Sequence, residues 1–192
     1  MNEDYIAGLF DGEGSAFLVA SKRVFKTGTF WRIRPYIKIT QKHQEVLEKI
    51  RDFLRIGYVA VDTKAYSYRI TEFLEAEQFC ERIGPRCYLK RQVLALMKEA
   101  ISICREYQSK YGYNTPYDEN TLRRLLDIRL QIHQLNAITC TRSAKWKVSN
   151  EQILLSHTKI DPLEWSKARE SQRLKGLQQS QMKKVWNAEV SE

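Results

Sequence analysis

The residues best suited to chemistry stand together near the start of the sequence: Ile6-Ala7-Gly8-Leu9-Phe10-Asp11-Gly12-Glu13-Gly14. Asp4 can cap a helical segment from Tyr5 to about Asp11, and Gly12 and Gly14 then stop it. Small residues inside such a helix let a second helix approach closely. The acid-Gly-acid-Gly exit delivers a carboxylate, that of Glu13, to the helix end. A lone carboxylate holds Mg²⁺ poorly. Two of them, with backbone carbonyls, phosphate oxygens and waters, suit such a hard cation. The same residues do not make an EF-hand loop, because Gly falls where oxygen ligands belong and no acid closes the loop.

A basic stretch follows. After Glu13 no acid appears until Glu45, while Lys22, Arg23, Lys26, Arg32, Arg34, Lys38 and Lys42 lie between. From Trp31 to Gln41 the order alternates strictly. Trp31, Ile33, Ile37 and Ile39 fall on one face, and Arg32, Arg34, Tyr36, Lys38 and Thr40 on the other. Period-2 alternation predicts a half-buried strand with a basic open face. Pro35 shares the apolar phase and lacks a backbone donor, which predicts a strand edge or a bulge there. Solvated surfaces usually mix charge signs, and this one does not. A one-signed β-ribbon with aromatic and polar spacing fits the major groove of duplex DNA, where Arg and Lys seek guanine edges and phosphates.

The whole chain agrees with a polyanionic partner. Its 192 residues carry a formal charge of +9, with 43% hydrophobic and 11% aromatic residues. That composition builds one core, and the charge favours nucleic acid ahead of an acidic membrane surface. No apolar run reaches the roughly 20 residues that a bilayer span needs. Met1-Asn2-Glu3-Asp4 has neither the basic start nor the apolar core of a signal peptide. Cys80, Cys87, Cys104 and Cys140 form no Cys-x-x-Cys pair and the histidines are scattered, which argues against zinc. Free, mostly buried thiols in a reducing, intracellular compartment are expected, in an organelle or in a bacterial or archaeal cytoplasm.

Strands are expected over Ser15–Phe25, Trp31–Gln41, Gly57–Val61 and Tyr66–Thr71, and helices over Gln44–Leu54, Phe73–Ile83, Leu89–Tyr107 and Thr121–Ala137. The order predicts an α+β fold: an antiparallel four-stranded sheet with helices on one face and the Arg and Lys phases turned away from them. Beyond Thr141 two or three amphipathic pieces are expected, around Asn150–Leu155, Pro162–Leu174 and Leu177–Trp186. The chain divides into a core over 1–140 and a basic helical extension over 141–192, either a packing element or a further DNA-contacting arm.

Residues 6–14 resemble the LAGLIDADG signature, in its single-motif form, of the homing endonuclease family. Ile39-Thr40-Gln41-Lys42 before a helix resembles the end of that family's second strand, and Gly57-Tyr58-Val59 the start of its third. The resemblance covers roughly residues 4 to 108. It implies an αββαββα fold with a saddle-shaped sheet, and a homodimer packed through Ile6, Ala7, Gly8 and Phe10, since the chain carries one copy of the motif. It implies metal binding by Glu13 and the Gly12 carbonyl, with Gln41 ordering water and Lys90, or else Arg91, beside the site. The cofactor implied is Mg²⁺ or Mn²⁺, with Ca²⁺ able to occupy the site without supporting cleavage. DNA contacts are expected from Ser21, Arg23, Arg32, Arg34, Tyr36, Lys38, Thr40, Ser67 and Arg69, and from the loop residues Lys26 and Lys64. The implied activity is a metal-dependent double-strand break at a long pseudo-palindromic site, by an enzyme encoded in a group I intron. The alternative is a cleavage-inactive DNA-binding regulator, or an intron RNA maturase, of the same family. One departure stands out: Glu45 falls where some members carry a basic residue, leaving Lys42 or His43 to supply that charge.

Overall fold

Asn2, rather than Asp4, caps the first helix. Its side-chain oxygen accepts the Tyr5 N–H at 2.9 Å, and α1 runs Glu3–Glu13 with Glu3 and Asp4 in the first turn, where the helix dipole favours acids. Gly12 lies inside the helix and Gly14 is its C-cap. A side chain at Gly14 would collide with the Phe10 ring and carbonyl, so the exit from α1 requires glycine there.

In this computed structural model, which describes residues 1–25, 27–139 and 148–189, α1 leads into β1 (Gly14–Phe25) and β2 (Gly28–Gln41). There follow α2 (Gln44–Leu54), β3 (Tyr58–Val61), β4 (Tyr66–Ile70), α3 (Phe73–Ile83), a 3-10 turn (Gly84–Arg86), α4 (Arg91–Tyr111), α5 (Glu119–Thr139), α6 (Asn150–Ser156) and α7 (Pro162–Glu189). The sheet is antiparallel in the order β1-β2-β4-β3. The expected α+β, αββαββα architecture with its four-stranded sheet is therefore present. The two pieces expected between Pro162 and Trp186 are one helix, because Gly176 is tolerated inside it at a cost of about 1 kcal/mol relative to Ala.

The register runs without a break from Gly14↔Ile39 to Phe25↔Gly28. Pro35 therefore makes no bulge. It lies opposite Leu18, at a point where β2 has a neighbour on one side only, since β4 pairs with residues 37 to 41 alone. Ile33, Ile37 and Ile39 are fully buried under the helices with Ala16, Leu18, Tyr68 and Ile70. Each such isoleucine contributes about 1.5–3 kcal/mol of burial.

The β1–β2 hairpin extends past the rest of the sheet, so its outer edges need partners. The C-terminal third supplies them. On the β1 edge, Arg129 Nε donates to the Leu18 carbonyl at 3.3 Å and Asn136 Nδ2 to the Ala16 carbonyl at 2.8 Å. On the β2 edge, the Thr158 N–H donates to the Thr29 carbonyl at 2.8 Å, and the Thr29 N–H to Thr158 Oγ1 at 2.9 Å. The Trp31 N–H reaches His157 Nδ1 at 3.3 Å. Gly28 sits at φ +146° with Thr158 directly against it, so only glycine fits that turn. Ile153 of α6 belongs to the same buried core as the sheet. Cys80, Cys87 and Cys104 are free and buried, and burial pushes the Cys80 and Cys87 thiols up to about 12. Lys26, Cys140 and the expected boundary between residues 140 and 141 lie outside the described residues.

Candidate active site and nucleic-acid interface

The exposed carboxylate of Glu13 stands on the last residue of α1. Gly14 follows it into β1 opposite Ile39, so Gln41, at the end of β2, lies at the same end of the sheet. The last four carbonyls of a helix have no partner within it. Here the Phe10 carbonyl accepts the Gly14 N–H, and the Asp11 carbonyl accepts the Lys90 ammonium. The Gly12 and Glu13 carbonyls complete that turn. The donors offered outward are thus all oxygen. Among the described residues, no group of three or more His, Cys, Asp or Glu converges on a metal position.

Asp11, the other acid of the motif, has a structural task that sequence reasoning missed. Its carboxylate accepts the N–H groups of Tyr88 (2.6 Å), Leu89 (3.2 Å) and Lys90 (2.9 Å). These amides lead into α4, so Asp11 ties the end of one helix to the start of another. Lys90 is itself buried, with its ammonium on the Asp11 carbonyl and 5.7 Å from the Phe10 ring centroid. A cation there complements the negative end of the α1 dipole. Lys90 therefore holds the end of α1 on which Glu13 stands. Arg91 turns away, donating to the Cys87 and Pro85 carbonyls.

The face of α1 needs correcting. Ile6, Ala7 and Phe10, expected at a dimer interface, are sealed inside the chain's own core at 0%, 1% and 0% exposure. Of the four expected residues only Gly8 faces outward. Gly12 is exposed one turn along, and a Cβ added at either glycine meets nothing within 4 Å. Tyr5 stands beside them, half exposed. Tyr88 and Leu89, whose amides Asp11 holds, are 90% and 54% exposed. The outward stripe is therefore Tyr5, Gly8 and Gly12, flanked by Tyr88 and Leu89.

The register puts the expected DNA-contacting residues of the strands on one face: Ser21 opposite Arg32, Lys38 opposite both Ser15 and Arg69, and Thr40 opposite Ser67. Arg23 joins that face opposite Phe30. Tyr36 stacks on Phe17 with ring centroids 4.9 Å apart. Arg23, Arg34 and Lys64 form no hydrogen bond or ion pair among the described residues, and Thr40 is partly exposed. Ser21 is turned inward onto the Arg32 carbonyl. Ser67 is fully buried and accepts from Arg69 Nε at 2.8 Å, so it cannot reach a base edge as expected. Lys38 and Arg69 both pair with Asp62, an acid from the β3–β4 turn that the run of basic residues concealed. The hydrogen bond from Lys38 holds the Asp62 carboxyl below its usual range. Arg32 donates to Asn114 Oδ1 at 3.2 Å and lies 4.4 Å over the Tyr113 ring. Lys26 falls outside the described residues.

Residues 6–82 match the family model described as LAGLIDADG endonuclease. No curated protein sequence matches the chain. Among solved structures, the homing endonuclease I-CvuI, in complex with the I-CreI target and with that DNA not cleaved in 2 mM Mg, superposes with a TM-score of 0.63 at 18% identity, covering 79% of this chain and 88% of that one. The archaeal intron-encoded homing endonuclease I-Vdi141I, complexed with DNA, gives a TM-score of 0.63 at 20% identity, covering 86% and 96%. The LAGLIDADG meganuclease I-AabMI, bound to uncleaved DNA, gives 0.60 at 18% identity, covering 84% of this chain and 51% of that one. At these identities the likeness concerns the fold. No helix among the described residues is long and apolar enough to cross a membrane.

Proposed function

Residues 6–82 belong to the LAGLIDADG endonuclease family and the chain carries its fold, and on that premise we propose that the protein is a homodimeric, site-specific DNA endonuclease that makes a metal-dependent double-strand break. The observation that carries the reading is the end of α1: one exposed carboxylate beside an outward Gly8–Gly12 stripe with open space over both glycines. Close approach of a second α1 along that stripe would bring two Glu13 carboxylates together at a two-fold axis. Tyr5, Tyr88 and Leu89 would be covered by the same approach.

The donor set fits a hard divalent cation, with Glu13 carboxylates and Gly12 carbonyls from both chains and the remaining positions left to phosphate oxygens and water. A bound Mg²⁺ would supply Lewis-acid polarisation of the scissile phosphate and a more acidic water. Glu13 would bind the metal, and the Gln41 amide would orient the attacking water. Lys90, through the Asp11 carbonyl, holds the helix end that aims Glu13. Arg23, Arg34, Tyr36, Thr40 and Lys64 would meet DNA directly, while Lys38 and Arg69 would exchange Asp62 for a phosphate or a guanine edge. The related structures in 2 mM Mg and in 2 mM Ca support a divalent cation, and the intron-encoded relative supports an intron-borne gene.

The test is cleavage of a randomised duplex pool in Mg²⁺, with EDTA and Glu13→Gln as controls. Wild type should yield defined cut ends, absent in EDTA. Glu13→Gln should cut more than ~100-fold more slowly, since even partners behind a metal ligand are worth that much. It should still retain duplexes on a filter. Retention of duplexes by wild type with no cut ends would make the chain a DNA-binding regulator instead.

A further inference from the structure

At the far end of the β1–β2 hairpin, away from Glu13, a cavity of about 280 Å³ opens between the sheet, the α4–α5 loop and α7. Three guanidinium groups line it: Arg23 from β1, Arg32 from β2 and Arg169 from α7. No acid is among its lining residues. Three cations gathered without a counter-charge are held together only by the elements that carry them. Their mutual repulsion is relieved when an anion enters.

Arg32 is set for that anion. Its ring partner Tyr113 lies under the guanidinium at 4.4 Å, and NH1 is fixed by Asn114 Oδ1 at 3.2 Å. NH2 is shielded from solvent and has no hydrogen-bond partner. A buried guanidinium nitrogen left unpaired is unfavourable, and a small shift of the side chain toward an entering phosphate oxygen would offset that cost. Arg23 and Arg169 are exposed and line the same cavity. α7 is docked there by Trp165, whose ring packs edge-on against Phe30 at 5.0 Å and Phe25 at 5.6 Å.

Arg23 and Arg32 lie on the sheet face that carries Arg34, Tyr36 and Lys38, since Arg23 pairs with Phe30 and Arg32 with Ser21. Arg23 is nine residues beyond Gly14, about 30 Å along the strand at roughly 3.3 Å per residue. At about 3.4 Å per base pair that is some nine base pairs from the cut.

We propose that Arg23, Arg32 and Arg169 form a phosphate clamp that grips the DNA backbone about nine base pairs out on each half-site, and that α7 is part of the DNA-binding surface. The inference rests on the proposed DNA-binding function, and its occupant is a phosphodiester of duplex DNA. The clamp fixes register and adds affinity without reading bases, because phosphate contacts carry no direct sequence information.

The experiment compares full-length wild type with Arg169→Ala and Arg169→Lys on two duplexes taken from the cleaved pool. One extends twelve base pairs either side of the cut and one only six. Arg169→Ala should bind the long duplex about tenfold more weakly and the short one as wild type does. Its salt dependence on the long duplex should flatten by about 0.9 in slope for each phosphate that it leaves unneutralised. Arg169→Lys should recover most of the affinity, and circular dichroism should be unchanged. Equal affinity and equal slope for wild type and Arg169→Ala on the long duplex would overturn the clamp while leaving DNA binding intact. Saturable binding of inorganic phosphate at the pocket, with no Arg169 effect on duplex, would likewise overturn it. Failure of wild type to bind any duplex would strike the proposed function itself.

Discussion

The two ends of the β1–β2 hairpin are built on opposite plans. At the near end the chain presents one exposed carboxylate, a glycine stripe with open space over it, and apolar side chains left in water. At the far end the β2 edge is sealed from within by His157 and Thr158, and Arg32 is held by Tyr113 and Asn114. The near end should therefore fail through loss of a partner, with the fold intact. The far end should fail through loss of the chain's own C-terminal third.

The sharpest way to break this contrast is at Gly8. Gly8→Leu adds a side chain to empty space, so the monomer should melt as wild type does. Dimers should vanish from light scattering and cleavage should fall as far as in Glu13→Gln. A Gly8→Leu dimer that still cuts would move the partner interface elsewhere. Asp11→Ala comes next, because it strips the acceptor from three amides at once. Loss of such a cap costs about 1–2 kcal/mol, measurable by urea titration. A urea midpoint equal to that of wild type would show that water replaces the carboxylate there.

The far end answers to pH. His157 accepts the Trp31 N–H at Nδ1 and meets the Tyr117 carbonyl through Nε2, so its neutral form fits and burial lowers its basicity. The Tyr117 carbonyl, Glu119 and Asp118 oppose that shift without reversing it. A folded value below the unfolded 6.5 means that the unfolded chain binds the extra proton first. Stability is whole above about pH 6.5 and should decline as the pH falls from there, by at most about 1.4 kcal/mol per pH unit for one proton. Urea midpoints at pH 7.5 and 5 should separate for wild type and draw together in His157→Gln. An equal separation in both would assign the decline to other groups. The smallest effect belongs to Asp62. Asp62→Asn frees Lys38 and Arg69, and non-specific duplex affinity at low salt should rise a few-fold. A fall in affinity would mean that Asp62 orients those cations for DNA.

Much of this molecule is written locally. The alternation from Trp31 to Gln41 sets the face of β2, and the acid-Gly-acid-Gly exit marks the end of α1. Residue types could not show which side of α1 faces inward, because Ala7 and Gly8 are both small and only packing separates them. Nor could an acid-free run reveal Asp62, which crosses to Lys38 from a turn 24 residues later. The seal on β2 depends on His157, 126 residues beyond Trp31, and the phosphate clamp on Arg169 from α7. Interactions of that range leave no periodic trace.

The central claim is that two chains share one cutting centre. The symmetry of sequences recovered from the cleaved duplex pool tests it most directly. A shared centre predicts a consensus with two-fold symmetry about the cut, extending equally on both sides. A consensus confined to one side of the cut would contradict it, since a single chain would then be doing the cutting.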